Sequence, residues 1–295
     1  MNRMICREMT KTTINAKIEE EVSVFLATGE SDPLALSFPG RHTRERLRGY
    51  ERHLREALID EVRRRERGRR PNHLPPDFDP VAWTKSRVEP MIAGLFRAAE
   101  RPAVLDLANR SVVFLTRQAA HRSLGEAGFL DKAWMIANIY LHSIGVPTLD
   151  GDRSLVVGMS VEKKCYVSLE YFAEKDPFAD YVVHEVAHLF HNCKRRTIGL
   201  PHSRSRQWLL DIAFAKREPF AYACEFYSRI LNQTKSPAQR SGMLAEFADH
   251  PKLTDERVEH EEVLDLVKEA VAARNGWKRI LAACSNDRSS RGHRV

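Results

Sequence analysis

Residues 181–190 of the chain are YVVHEVAHLF, an apolar segment that carries two histidines and one glutamate. His184 and His188 are four residues apart, so on an α-helix both lie on one face, about 6 Å apart along the axis. Two imidazoles at this spacing can bind one metal ion, and catalytic Zn²⁺ takes three protein ligands and keeps a fourth position open. Glu185 lies one step round the helix, beside that open position, where a general base is needed. The segment therefore predicts two zinc ligands and a catalytic Glu185.

The remainder of this helix is apolar, which predicts that it is buried. Asp176-Pro177 is typical of a helix start, and the helix is expected to run to about Cys193. Histidines in a buried helix need partners, because an unpaired polar group is costly in an apolar environment. A metal ion is one such partner, and the alternative is a core helix whose histidines bond to nearby carboxylates. His191 shares the face of His184 and His188, so it either lines the site or forms a hydrogen bond at the helix end.

Composition restricts the class of protein. The 295 residues are 43% hydrophobic and 29% charged, with a formal net charge of +7, which is ordinary for a globular protein of one large or two modest domains. No stretch approaches the roughly 20 apolar residues of a membrane helix, so no membrane partner is expected. No apolar segment follows the first ten residues, which argues against a secretory signal. Five cysteines without a CxxC pair favour a reducing, cytoplasmic location.

Residues 41–70 hold most of the excess positive charge, with twelve arginines against six acidic residues. Apolar residues recur there at steps of three and four, which predicts a helix with one buried stripe: Leu47, Tyr50, Leu54, Leu58 and Val62. The polar face is interpreted either as a solvated surface held by ion pairs or as a patch that binds nucleic acid. The interleaved acidic residues weaken the second interpretation.

The pattern along the chain predicts four parts. Residues 1–80 form a basic helical arm with a proline-rich linker, 81–150 a helical region, 151–284 the core with the histidine helix, and 285–295 a polar tail. Within the core, short β-branched and aromatic runs predict strands at 154–158 and 165–169. Further helices are expected at about 205–216, 219–232, 237–248 and 254–274. The fold class expected is α+β and rich in helices.

The segment 181–189 resembles the active-site helix of the zincin metallopeptidases, which carry the HExxH motif. The resemblance covers about residues 153–232 and implies a zincin-like core of a small sheet, the HExxH helix and a later helix that bears a glutamate. It also implies a substrate-binding strand just upstream, near residues 165–171. The longer metzincin motif has Gly and a third His where this chain has His191 and Lys194, so that form does not match.

The gluzincin form of the family takes its third zinc ligand from a Glu-x-x-Ala sequence on a later helix. Glu218 begins such a sequence, EPFA at 218–221, thirty residues after His188. Tyr222 stands where the family often has an acidic or amide residue, and Pro219 places Glu218 at a helix start. Glu225, seven residues on and on the same face, is the alternative third ligand.

The resemblance implies a zinc-dependent peptidase that hydrolyses peptide bonds in a protein or peptide substrate. Zinc would be held by His184, His188 and Glu218, or by Glu225 in place of Glu218, and Glu185 would be the base. The alternative function is a nucleic-acid-associated or regulatory protein whose zincin-like site binds metal without turnover. Glu185 separates the two, because a structural metal site has no use for a base beside the metal.

Overall fold

The computed structural model describes residues 2–32, 34–36, 38–69, 73–151, 157–249, 253, 255 and 257–286, and of residues 2–14 only the backbone. This part of the chain is rich in helices and has a small mixed sheet, compatible with the predicted α+β class. Its helices and strands, in chain order, are α1 Asn2–Thr28, α2 Thr43–Arg65, α3 Pro80–Leu95, α4 Arg101–Ser111, β1 Val112–Phe114, α5 Arg117–Glu126, α6 Leu130–Ser143, β2 Gly158–Val161, β3 Lys164–Val167, α7 Tyr181–Asn192, α8 Arg217–Gln233, α9 Pro237–Ala248, α10 His260–Ala272 and α11 Gly276–Cys284.

Contacts group the chain into two compact units that are each discontinuous in sequence. One unit is Met1–Leu74 with Leu115–Val157, and the other is Pro75–Phe114 with Gly158–Val295. The division into parts at residues 80, 150 and 284 stays a prediction. In the described part of the chain, no helix combines the length and the apolar character needed to cross a membrane.

In the first unit, α2 confirms the helix predicted within residues 41–70. Its apolar stripe is buried from Tyr50 to Val62, and the helix packs against α5 and α6. Glu61 accepts hydrogen bonds of 2.7 Å from both Arg64 and Arg65. Arg65 also donates to the carbonyl oxygens of Pro147 and Thr148. Part of the positive charge is therefore used inside the unit, and nucleic-acid binding through residues 41–70 stays a prediction.

In the second unit, the sheet has the order β1-β3-β2, with β1 parallel and β2 antiparallel to β3. Helix α7 packs against β2, β3 and α8. Because β3 is the central strand, its backbone groups are paired on both sides. It cannot offer a free edge, and Leu169–Ala173 forms a 3-10 helix. The expectation of a substrate-binding strand at 165–171 is therefore wrong, and β2 is the strand beside α7 that lies at an edge of the described sheet.

Other expectations differ from the structure for identifiable reasons. The helix expected at 205–216 is wrong, because the backbone there pairs with the end of α7. The N–H groups of Leu209 and Leu210 donate to the carbonyls of Cys193 and Phe190. Only Phe214–Lys216 is helical, as a 3-10 turn. The strand expected at 154–158 and the tail after residue 286 lie mostly outside the described residues. Strand β1 was not predicted, since three residues are too few for a periodic pattern.

Candidate metal centre

Helix α7 begins at Tyr181, four residues later than the Asp176-Pro177 pair predicts. Asp180 is the N-cap residue, and its side chain accepts a hydrogen bond from the N–H of Val183. The Asp180 carboxylate is fully buried and is held by the guanidinium of Arg87 on α3. Asp176 instead accepts from the N–H of Phe178 in the preceding turn. A tertiary ion pair therefore decides where the histidine helix begins.

Three side-chain atoms from α7 and α8 converge in a cluster that could hold a metal ion. Nε2 of His188 lies 3.1 Å from Nε2 of His184 and 3.1 Å from Oε2 of Glu218. Nε2 of His184 lies 3.8 Å from Oε2 of Glu218. Two ligand atoms bound to tetrahedral zinc at 2.0–2.1 Å are about 3.3 Å apart. The spacing and the donor set of two imidazoles and one carboxylate fit a zinc ion with an open fourth position.

Glu218 projects from the first turn of α8 and has a different partner for each oxygen. Oε2 faces the histidines, and Oε1 lies 3.0 Å from Nη1 of Arg257. Burial by itself raises the pKa of Glu218, but hydrogen bonds from His184 and His188 outweigh it and hold this pKa far below its usual range. Glu218 is therefore anionic at neutral pH, as a ligand carboxylate must be.

Glu225, the alternative third ligand, lies behind His184. Its Oε2 is 2.9 Å from Nδ1 of His184, and its Oε1 accepts the backbone N–H of Asp180 at 2.6 Å. The structure thus brings Glu218 to the side of the histidines where their Nε2 atoms converge and puts Glu225 on the opposite side of the His184 ring. A carboxylate on Nδ1 orients the imidazole and keeps Nε2 available as a lone pair. The sequence allows a buried histidine either to bind a metal or to pair with a carboxylate. His184 can do both, because Nδ1 contacts Glu225 while Nε2 lies in the cluster.

The two carboxylates that contact His184 shift the pKa of its imidazole. Burial lowers the pKa of His184, but hydrogen bonds to Glu218 and Glu225 outweigh burial and raise this pKa to about 10. Protonation of His184 at Nε2 would therefore compete with binding of a metal ion at the same nitrogen.

Glu185 lies beside the cluster and outside it. Its side chain is 5% exposed, and Oε2 has no hydrogen-bond partner among the residues that the structure describes. Burial raises the pKa of Glu185, against the opposing charges of His184 and His188. Strand β2 lies against this residue, since the Ser160 hydroxyl donates to its backbone carbonyl at 2.7 Å. The arrangement presents an unshared carboxylate oxygen in a site closed to most of the solvent.

The rings of His191 and Tyr222 lie next to the two clustered histidines, His188 and His184. His191 is 3% exposed, with Nε2 3.3 Å from Nδ1 of His188, and burial lowers the pKa of His191 to about 3. The ring of Tyr222 lies edge-on to His184 with centroids 4.6 Å apart. Arg257, Ser160 and Gly158 also lie next to residues of this site, and no pattern in the sequence predicts them. No local pattern could have found them, because each reaches the site only through the packing of its element.

Comparisons of the chain with protein-family models, with curated proteins and with solved structures found no match. The likeness to gluzincins therefore rests on the motif residues and stays a prediction.

Proposed function

We propose that the chain is a zinc-dependent peptidase, with His184, His188 and Glu218 as the zinc ligands and Glu185 as the general base. The observation that carries the proposal is the pairing of the three-atom cluster with a buried carboxylate outside it. Two imidazoles and one carboxylate are the donor set of hydrolytic zinc sites that keep a position for water. A zinc ion held there supplies Lewis-acid polarisation of a carbonyl and increases the acidity of a water.

Glu185 supports a hydrolytic role over a structural one. A buried carboxylate oxygen without a hydrogen bond is costly, so its retention needs a reason. As a general base, Glu185 accepts a proton from the attacking water and then delivers it to the leaving amine nitrogen. The burial of Glu185 keeps bulk water away from this transfer.

An extended peptide is the substrate shape that suits the surroundings. Strand β2 pairs only with β3 among the described strands, so its outer edge faces no other described strand. Such an edge binds an extended peptide through main-chain hydrogen bonds. Because Ser160 of β2 contacts the backbone of Glu185, a peptide on this edge would pass close to the base.

The proposal includes a reducing, cytoplasmic location, since Cys165, Cys193, Cys224 and Cys284 are free thiols in the described part of the chain.

The first test is zinc binding. Metal-free protein titrated with Zn²⁺ should take up about one equivalent, and His184→Ala and His188→Ala should each abolish the uptake. Wild type that stays metal-free in excess zinc would overturn the proposal.

The second test is hydrolysis, with a proteome-derived peptide library as substrate and mass spectrometry as the readout of new termini. Zinc-loaded Glu185→Gln should keep the metal and lose at least about 10²-fold in rate, because a neutral amide cannot accept the proton. Glu246→Gln, at an exposed position of α9, is the matched control and should cut like wild type. If wild type loads zinc and cuts nothing, the peptidase proposal fails and metal binding without turnover replaces it.

A further inference from the structure

We propose that His191 is a positioning residue for the metal centre. In this arrangement its Nε2 accepts a hydrogen bond from Nδ1–H of His188 and holds the His188 ring with Nε2 towards the metal. The inference rests on the proposed zinc site and adds to it a residue that is not part of the HExxH motif.

The geometry of His188 determines which of its nitrogens faces the metal. Nε2 is 3.1 Å from both Nε2 of His184 and Oε2 of Glu218, so it is the atom within the cluster. A neutral imidazole carries one hydrogen, and a metal-binding Nε2 must be free of it. The hydrogen of His188 therefore lies on Nδ1, and Nδ1 needs an acceptor.

His191 provides that acceptor. Its Nε2 lies 3.3 Å from Nδ1 of His188, and the two rings are nearly perpendicular at 89° with centroids 5.2 Å apart. Both residues are on α7, three positions apart, so the helix itself keeps them in register. His191 is 3% exposed, which protects the bond from competing water.

The assignment fixes the tautomer of His191 as well. If Nε2 accepts, the hydrogen of His191 is on Nδ1, which is buried and has no partner within the described residues. An unpaired buried donor loses its hydrogen bonds to water and gains none in return. A leucine in this position would avoid that cost, so the bond to His188 is the function that accounts for a histidine here.

The Nδ1 atoms of the two proposed histidine ligands thus have different hydrogen-bond acceptors. His184 donates to a carboxylate, Glu225, whereas His188 donates to a neutral imidazole. Loss of such an outer partner costs about 10- to 100-fold in metal affinity. We expect His191→Leu to weaken zinc binding by that factor, and His191→Gln to recover most of it, because the amide oxygen can accept in place of Nε2.

The variants are compared by competition for Zn²⁺ against a chelator, with wild type and His260→Leu alongside. His260 is a matched control, since it is a buried histidine of the same unit whose ring lies against Phe247. Equal zinc affinity in wild type and His191→Leu would overturn the inference and leave the zinc site standing. Equal losses in His191→Leu and His191→Gln would also overturn it, because they would indicate packing rather than an acceptor. Absence of zinc binding in wild type would overturn the proposed function and this inference together.

A second measurement needs no variant. Long-range ¹H–¹⁵N spectra of the histidine rings in zinc-loaded wild type report which nitrogens carry hydrogen. The expected result is His188 protonated on Nδ1 and bound through Nε2, with His191 protonated on Nδ1 only. Protonation of His191 on Nε2, or zinc bound to His191, would overturn the assignment.

Discussion

Gly158 on β2 leaves space that the carboxylate of Glu185 on α7 occupies, because a side chain at residue 158 would collide with it. A Cβ built on Gly158 would be 2.6 Å from Oε1 of Glu185, closer than real Cβ atoms come to other groups, and 3.0 Å from Cγ. The absence of a side chain at residue 158 therefore permits the observed position of the Glu185 carboxylate. The glycine is needed here for space and not for its backbone angle, since it lies in an ordinary strand.

Gly158→Ala should displace Glu185 while the zinc ligands stay in place. A misplacement of about 1 Å can cost 10²-fold in rate, so we expect a loss of that order with unchanged zinc affinity. Peptide hydrolysis and zinc titration on the same preparation measure both. Gly125→Ala is the control, because a Cβ there meets nothing within 4 Å. Hydrolysis by Gly158→Ala at the wild-type rate would contradict the placement of Glu185 as the base. The double variant Gly158→Ala/Glu185→Asp should relieve the clash, because aspartate is shorter.

Glu225→Gln should weaken zinc binding although Glu225 is not expected to touch the metal. Glu225 accepts two hydrogen bonds, from Asp180 N–H and from His184 Nδ1–H, and a glutamine has only one oxygen to accept them. If the amide oxygen accepts from His184, the amide NH₂ faces the N–H of Asp180, which is also a donor. If the oxygen accepts from Asp180, the NH₂ faces Nδ1 of His184, and the hydrogen of His184 is forced onto Nε2. We expect a loss of about 10- to 100-fold in zinc affinity, measured by chelator competition. Glu269→Gln, which loses only an exposed pair with Arg279, should bind zinc like wild type. Unchanged affinity in Glu225→Gln would show that the His184 tautomer does not depend on this carboxylate.

Glu100→Gln should be strongly destabilising. The Glu100 carboxylate is paired with Arg195, whose side chain is fully buried, and with Arg206 at 3.0 Å. Removing one partner of a buried pair leaves an uncompensated charge and costs about 3–5 kcal/mol. Urea denaturation measures the change in the free energy of unfolding. Asp106→Asn, which breaks an exposed pair with Arg110, should change it by less than about 1 kcal/mol. The double variant Glu100→Gln/Arg195→Met should be more stable than Glu100→Gln alone, and the opposite order would refute the explanation by charge.

Glu61 should make the stability of the first unit depend on acid pH. Hydrogen bonds from Arg64 and Arg65 lower the pKa of Glu61 to about 2 despite its burial, against about 4.3 in an unfolded chain. A folded-state pKa below the unfolded value stabilises the protein above about pH 4.3, and this stabilisation is lost as the pH falls towards 2. Glu61→Gln should therefore lose on the order of 1 kcal/mol at pH 7 and lose less at pH 2.5. Urea denaturation at both pH values tests this, with Asp60→Asn, at a side chain 75% exposed, as the control. A loss that is the same at both pH values would assign the effect to packing.

Local periodicity made several features predictable from the sequence. His184 and His188 converge because four residues make slightly more than one helical turn, whatever the helix packs against. The same rule predicts the buried stripe of α2 and the placement of Glu185 beside the histidine pair. These features depend on the geometry of single helices, and a sequence encodes that geometry directly.

The start of the histidine helix shows the limit of such rules. Asp176-Pro177 has the composition of a helix start, yet the helix begins after Asp180 because Arg87 on another helix binds the Asp180 carboxylate. A tertiary ion pair of this kind has no local signature, since its partner is far away in the sequence.

The roles of Glu218 and Glu225 were decided only by the tertiary structure. They are two turns apart on one face of α8, so the sequence allows either to reach the histidines. The packing of α8 on α7 brings Glu218 to Nε2 of His188 and Glu225 to Nδ1 of His184, on opposite sides of the cluster. Helical periodicity is local, so it was enough to predict which residue types meet on α7. Which carboxylate meets the Nε2 atoms of the histidines, and that Gly158 leaves room for Glu185, depended on how separate elements pack, because packing is set by side chains distant in the chain.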